Sequence, residues 1–273
     1  MEWARMLQAQ ASRWAGRGLD LLYPPRCPIC RRETAATDQG AVPAAGSPSF
    51  TPSWASSWAS DWTATVCGMC TRELSADSGR CLRCGEAGEA ADGCRFCPRR
   101  PHGWRQIAVL SSYAGSLREA VLRAKRPTGE DVAAALASLI VRKHGEQLVS
   151  WGVGRVVPVP MHWLRRSIRG TSAADELSRR IARLLGLPHS RALRRHRATR
   201  MQNELPIADR PLNVRGAFRG RIRLGGERIL LVDDVMTTGA TLSACCQALH
   251  DAGAATVDVA VVAKADRSVT DDA

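Results

Sequence analysis

The stretch Arg228-Ile-Leu-Leu-Val-Asp-Asp-Val-Met-Thr-Thr-Gly-Ala-Thr241 leaves few folds open. Its apolar run shows no polar alternation, as a strand covered on both faces of a parallel sheet requires. It delivers two adjacent acids, Asp233 and Asp234, and a short Thr-Gly turn that opens into a helical stretch. The same grammar runs through the chain from residue 106 onward. Residues 107–113 read as a strand, 115–124 and 131–148 as helices, and 155–160 as a buried strand. A helix over 172–185, a strand over 228–235, a helix over 241–252 and a closing strand over 256–264 follow. Such alternation predicts an α/β fold, a mainly parallel sheet flanked by helices, with ligands gathering at the C-terminal ends of the strands.

The turn itself suggests a chemistry. Backbone N–H groups at a helix start, with the hydroxyls of Thr237, Thr238 and Thr241, form a socket for a phosphate. Gly239 permits close backbone approach. Ionised carboxylates only accept hydrogen bonds, so Asp233 and Asp234 suit neighbouring sugar hydroxyls or a magnesium shell rather than the phosphate. Socket and acid pair together read as a ribose 5-phosphate site.

Eight of the ten cysteines stand in four C-x-x-C pairs: Cys27/Cys30, Cys67/Cys70, Cys81/Cys84 and Cys94/Cys97. Two intervening residues let a tight turn present both thiolates to one ion, and zinc takes four such ligands in a tetrahedron. Eight thiolates complete two closed, structural sites. Sequential pairing is the simplest: Cys27, Cys30, Cys67 and Cys70 at one ion, Cys81, Cys84, Cys94 and Cys97 at the other. Spacing alone leaves interleaved pairing open. A redox C-x-x-C is a single motif at the start of a helix, unlike four copies flanked by Gly, Pro and Arg. Cys245 and Cys246 lie in a predicted helix without partners at ligand spacing and read as core residues.

Charge is unevenly placed. The chain carries 39 Lys+Arg against 26 Asp+Glu, a net +13, and residues 155–228 hold 18 arginines against five acids. Two loaded zinc sites would bring the total to about +9 and leave the excess on the α/β part. Such a surface fits a phosphate-rich ligand or nucleic acid without choosing between them. No apolar run reaches the length of a membrane span. Glu2, Arg5, Arg13 and Arg17 break any signal-peptide pattern. A cytoplasmic protein with reduced, metal-binding cysteines is the expectation.

The chain therefore divides into an N-terminal amphipathic helix over 1–24, a double zinc-ribbon module over 25–103, an α/β domain over 104–267 and a disordered tail over 268–273. Trp3, Leu7, Trp14, Leu21 and Leu22 give the helix its apolar face. A low-complexity insertion at about 34–64 interrupts the ribbon. Its Trp54, Trp58 and Trp62 read as a local hydrophobic clasp.

These features resemble the ComF family, competence-associated proteins that join an N-terminal double zinc ribbon to a type I phosphoribosyltransferase-like domain. The resemblance covers about residues 20–265 without the insertion, and rests on the four knuckles and on 228–241, similar to the motif that binds phosphoribosyl diphosphate (PRPP). It implies that Asp233 and Asp234 hold the ribose hydroxyls and that Thr237, Thr238, Gly239, Ala240 and Thr241 hold the 5-phosphate, with Mg2+ accompanying PRPP. Val156-Val-Pro-Val-Pro-Met-His162 resembles the pyrophosphate strand and loop, which assigns Pro160, Arg165, Arg166 and Arg169 to pyrophosphate. His162 reads as a surface or supporting residue. The family continues Arg-Gly-Phe-Asn-Gln there, whereas this chain has Arg169, Gly170, Thr171, Ser172 and Ala173. The 194–202 stretch resembles the family's mobile lid, with Arg197, Thr199 and Gln202 at the matching, catalytic positions. His196, alone in that loop, is a weak acid–base candidate. A phosphoribosyltransferase releasing pyrophosphate to an unidentified acceptor is the implied activity. The alternatives are a non-catalytic factor binding single-stranded DNA or the competence machinery, or a PRPP sensor.

Overall fold

The computed structural model describes residues 26–34, 66–75, 79–88, 94, 96–97, 102–161, 172–197 and 210–266. The expected helix over 1–24, the tryptophan clasp, most of the 34–64 insertion and the 268–273 tail lie outside them. The chain separates into two compact units, one ending at Thr71 and the other beginning at Arg72. The first cysteine group belongs to the former and the second to the latter.

The knuckles at Cys27/Cys30 and Cys81/Cys84 are built alike. In the N-terminal unit the Cys27 N–H donates to the Arg32 carbonyl at 2.9 Å, and Arg26 and Glu33 form an antiparallel bridge. In the other unit the Cys81 N–H donates to the Glu86 carbonyl at 3.0 Å, and Arg80 bridges Ala87. Each loop turns through a left-handed residue four positions after its first cysteine, Arg31 at φ 63° and Gly85 at φ 76°. Helix α1, Gly68–Ser75, starts immediately after Cys67 and so carries Cys70 in its first turn.

The second unit is an α/β sheet. Strand β1 is Ile107–Ser112, β2 Arg155–Pro158, β5 Arg228–Met236 and β6 Thr256–Lys264. Their order is β1-β6-β5-β2, and every pairing is parallel. Between them come α2 (Gly115–Ala124), α3 (Glu130–Ser150), α4 (Ala173–Leu185) and α6 (Ala240–Asp251). Short β3 (Leu193–Arg195) and β4 (Phe218–Gly220) pair antiparallel as a separate ribbon, with the five-residue helix α5 (Arg210–Val214) before β4. The sequence reading anticipated the sheet and its four main helices to within a few residues at each end, and did not anticipate the ribbon or α5.

Alternation along the strands sorts the core into two layers. Ile107, Val109, Val157, Ile229, Leu231, Val257, Val259 and Val261 share one face with Leu242, Cys245, Cys246 and Leu249 of α6 and with Leu193 and Phe218 of the ribbon. Cys245 and Cys246 are thus fully enclosed core residues. The opposite face, with Leu110, Val156, Leu230 and Ala260, lies beneath the α3 and α4 layer. Covering on both sides explains why residues 229–232 carry no polar side chain: each is completely buried. A fully buried aliphatic side chain contributes about 1.5–3 kcal/mol relative to exposure.

Ion pairs anchor both ends of β6. Arg105 grips the wholly buried Asp258 with two hydrogen bonds, Nε to Oδ1 at 3.0 Å and Nη2 to Oδ2 at 2.7 Å. Lys264, only 2% exposed, reaches Glu86 at 2.6 Å. Arg80 joins Asp266 and Ser112 beside it. Among the described residues, no helix is long and apolar enough to cross a membrane.

Candidate functional site

The site assembles where β5 leaves the sheet. The strand carries Asp233 and Asp234 just past its apolar run, and Asp233 Oδ1 accepts from the Asp234 backbone N–H at 2.9 Å. The chain then turns through Thr237 and Thr238 to Gly239, whose φ of 78° is the left-handed region that favours glycine. Helix α6 begins at Ala240, whose N–H points to Thr238 Oγ1 at 3.4 Å, while Ser243 N–H closes the first turn on the Gly239 carbonyl at 2.9 Å. The positive end of the α6 dipole therefore faces the turn.

Strand β2 ends beside it. Pro158 registers with Val232, and Val159 N–H donates to the Val232 carbonyl at 2.9 Å. Pro160 thus leaves the sheet next to the acid pair. His162, Arg165, Arg166 and Arg169 lie outside the described residues, as do Thr199 and Gln202. Arg197 is exposed, and its Nη2 donates to the carbonyls of Asn213 and Arg215 at 3.1 and 2.8 Å. It fastens the chain leaving β3 to the last turn of α5 and the residue after it.

Two cations absent from the sequence-derived site stand by the acids. Lys125, the residue that ends α2, places Nζ 3.0 Å from Asp234 Oδ1. Burial works against its charge, but Asp234 and then Asp233 outweigh this and hold its pKa above the ordinary lysine value. Arg195 lies with its guanidinium 5.4 Å from the centre of the Phe218 ring, and its charge also acts on Asp233. Burial, followed by repulsion from Asp234, pushes Asp233 up to about 8. The signal that could have found Lys125 is its rarity: Lys125, Lys143 and Lys264 are the only lysines in an arginine-rich chain. Arg195 falls within the 194–202 stretch but outside its matching positions, and the fold brings it in from the ribbon.

The cysteines form two groups in sequential order, Cys27, Cys30, Cys67, Cys70 and Cys81, Cys84, Cys94, Cys97, each with ligand atoms within 4.8 Å of one another. A tetrahedron with zinc–sulfur bonds of about 2.3 Å has sulfur–sulfur edges of about 3.8 Å. Cys30 and Cys67 sulfurs are 3.7 Å apart, and Cys81–Cys97 and Cys84–Cys94 are each 3.5 Å apart. The donor sets fit one tetrahedral ion each. Backbone N–H groups already turn to the sulfurs: Cys67 N–H to Cys27 Sγ at 3.4 Å, and Arg83 N–H to Cys81 Sγ at 3.4 Å. At Cys81, burial raises the thiol pKa, but N–H groups of Cys84 and Arg83 and the Cys97 thiol overcome it and bring the value to about 7. This eases release of the proton from Cys81, whereas burial and the neighbouring thiols hold Cys84 and Cys97 above the ordinary thiol value.

Comparison with known proteins identifies relatives of this chain. Residues 169–272 match the phosphoribosyl transferase domain family. The DNA utilization protein YhgH of Salmonella typhi is 33% identical over 199 residues, covering 71% of this chain and 88% of that protein. Competence protein F of Haemophilus influenzae is 27% identical over 212 residues, covering 73% and 90%. Among solved structures, the allosteric regulatory enzyme of purine biosynthesis aligns at a TM-score of 0.34 and 21% identity, over 53% of this chain and 30% of that one. Similarity spanning most of both chains, the domain match and the cysteine clusters establish that this chain belongs to the ComF family, with a phosphoribosyltransferase-type domain behind its cysteine knuckles.

Proposed function

We propose that the chain binds PRPP with Mg2+ at the C-terminal edge of its sheet and transfers the phosphoribosyl group to an acceptor nucleophile. The observation that carries this reading is the junction after β5: two carboxylates, then a threonine-rich turn whose left-handed Gly239 opens α6. Asp233 and Asp234 accept hydrogen bonds from the ribose hydroxyls. The turn Thr237, Thr238, Gly239, Ala240 and Thr241 takes the 5-phosphate on backbone N–H groups and hydroxyls. Pro160, with Arg165, Arg166 and Arg169, receives the diphosphate. Arg197, Thr199 and Gln202 belong to the lid that excludes water. The C1–oxygen bond to diphosphate breaks, the leaving group takes the electron pair, and a bond from C1 to the acceptor forms. Catalysis is mainly positioning and neutralisation of the leaving group. Hard carboxylate oxygens at the acid pair suit Mg2+, which supplies that neutralisation when bound. Lys125 guards the pair in the ligand-free protein and adds a cation once the sugar occupies it. Zinc fills both cysteine sets in a closed, structural role.

The test is thermal. Mg2+–PRPP is expected to raise the melting temperature, and the double variant Asp233→Asn, Asp234→Asn to lose the shift while keeping its circular dichroism spectrum. A wild-type melt unmoved by PRPP sinks the site. Pyrophosphate release with a panel of acceptors then separates an enzyme from a sensor.

A second reading has its own observation. Arg194 and Arg219 stand directly opposite each other on the ribbon, both exposed, with Arg221 and Arg223 exposed just beyond. Like charges in that position are destabilising without a counter-anion. The names of the relatives point to DNA uptake, and single-stranded DNA supplies such an anion. Binding should weaken steeply with salt, and Arg194→Ala with Arg219→Ala should flatten that dependence; a flat wild-type curve overturns it.

A further inference from the structure

The second cysteine cluster and the phosphate turn are joined by a single side chain. Trp104, 7% exposed, follows the last C-x-x-C pair and precedes β1. Its indole Nε1 donates to the Arg83 carbonyl at 2.9 Å. Arg83 lies between Cys81 and Cys84, so that carbonyl belongs to the knuckle loop itself. The far edge of the same ring lies against Gly239: a methyl group added there would stand 3.0 Å from Trp104 Cη2.

The flanking residues hold the ring in place. His102 stacks on it, with ring centres 4.3 Å apart and planes 5° from parallel. The His102 carbonyl accepts from Ser243 Oγ, in the first turn of α6, at 2.9 Å. On the knuckle side, the Leu82 carbonyl accepts from Ile107 N–H at 2.8 Å, tying the same loop to the start of β1. A rigid indole thus spans the distance from the knuckle to the glycine that sets the turn.

We infer that the metal-loaded second knuckle is the support of the phosphate turn, and that Trp104 is the positioning residue that transmits it. The C-x-x-C loop fixes the Arg83 carbonyl, the carbonyl fixes the indole, and the indole backs Gly239 so that the N–H groups opening α6 keep their direction. Loss of metal or oxidation of Cys81, Cys84, Cys94 or Cys97 then loosens the turn without any of these residues touching the ligand. By linkage, an anion held in the turn strengthens metal retention by the same factor. As a statement about PRPP this rests on the reading above; as a statement about the turn it does not.

Trp104→Phe removes the hydrogen bond to the knuckle and withdraws the outer ring edge from Gly239. Amide hydrogen exchange of the full zinc-loaded chain, read over residues 237–243 and over α4 as a reference, tests the link. In the wild type, chelating the zinc should speed exchange in the turn more than in α4. In Trp104→Phe the turn should already exchange about fivefold faster, the effect of one ordinary hydrogen bond, with zinc content unchanged. Chelation should then add little. If chelation leaves the wild-type turn unchanged, speeds turn and α4 equally, or acts as strongly in Trp104→Phe, the coupling is overturned. A coupled turn that gives no melting shift with Mg2+–PRPP keeps the coupling and removes the ligand reading.

Discussion

Asp233 illustrates what burial beside a second carboxylate costs an acid. An aspartate in the unfolded chain titrates near 3.8, and the folded chain holds this one at about 8 because of burial and the adjacent Asp234. Between those values the native state binds a proton that the unfolded state has released. The contribution of Asp233 to stability therefore falls as pH rises from about 4 to 8 and levels off above it. Asp233→Asn should raise the melting temperature at pH 8 and above, converging with wild type near pH 4. Parallel melting curves across that range contradict the assignment. Arg31 is the second residue under local stress. It occupies at φ 63° the position that Gly85 fills in the other knuckle, where a side chain costs about 1–2 kcal/mol. Arg31→Gly should tighten zinc at the first cluster, as competition with a chelator would show; weaker zinc retention would contradict it.

At the scale of elements, the ribbon carries its own instability. Arg194 faces Arg219 across the pairing, so Arg194→Glu should turn repulsion into attraction and stabilise by about 0.2–1 kcal/mol. Urea unfolding measures this, and a destabilised variant would mean that the arginine makes contacts beyond its partner strand. The ribbon was not legible in the sequence because Leu193-Arg-Arg and Phe218-Arg-Gly are too short to show a period of two. Strand β5 was legible because Ile229–Val232 is continuously apolar and ends abruptly in acids, which only a doubly covered strand and its exit explain. The glycine turn that opens α6 followed from its own residues. Lys125 and Trp104 did not: each acts at a place that only tertiary structure brings near, and neither belongs to a local pattern. Sequential grouping of the cysteines likewise needed geometry, since spacing permits either order.

For the whole molecule, the two units place one cysteine group each on either side of the Thr71–Arg72 division. Purified protein should contain about two zinc ions per chain. Cys27→Ser should lower that to about one while the second unit keeps its melting transition, because its own cluster and the Lys264–Glu86 pair are intact. Metal analysis with calorimetry reads both quantities. Content of one or none in wild type refutes the double assignment.

Strand β6 is flanked by β1 on one side and β5 on the other, yet it follows both in the chain. Ile107 waits for Val259, about 150 residues later, before β1 has its partner, and Arg105 waits as long for Asp258. During synthesis the earlier strands must therefore persist with an open slot between them, exposing unpaired backbone and apolar faces to any other chain nearby. Pairing over such separation is slow to nucleate. Assembly consequently resembles the closing of an arch with its middle stone. Substitutions in 256–264 should alter how much chain reaches the native state before aggregating, a yield that equilibrium stability alone does not determine.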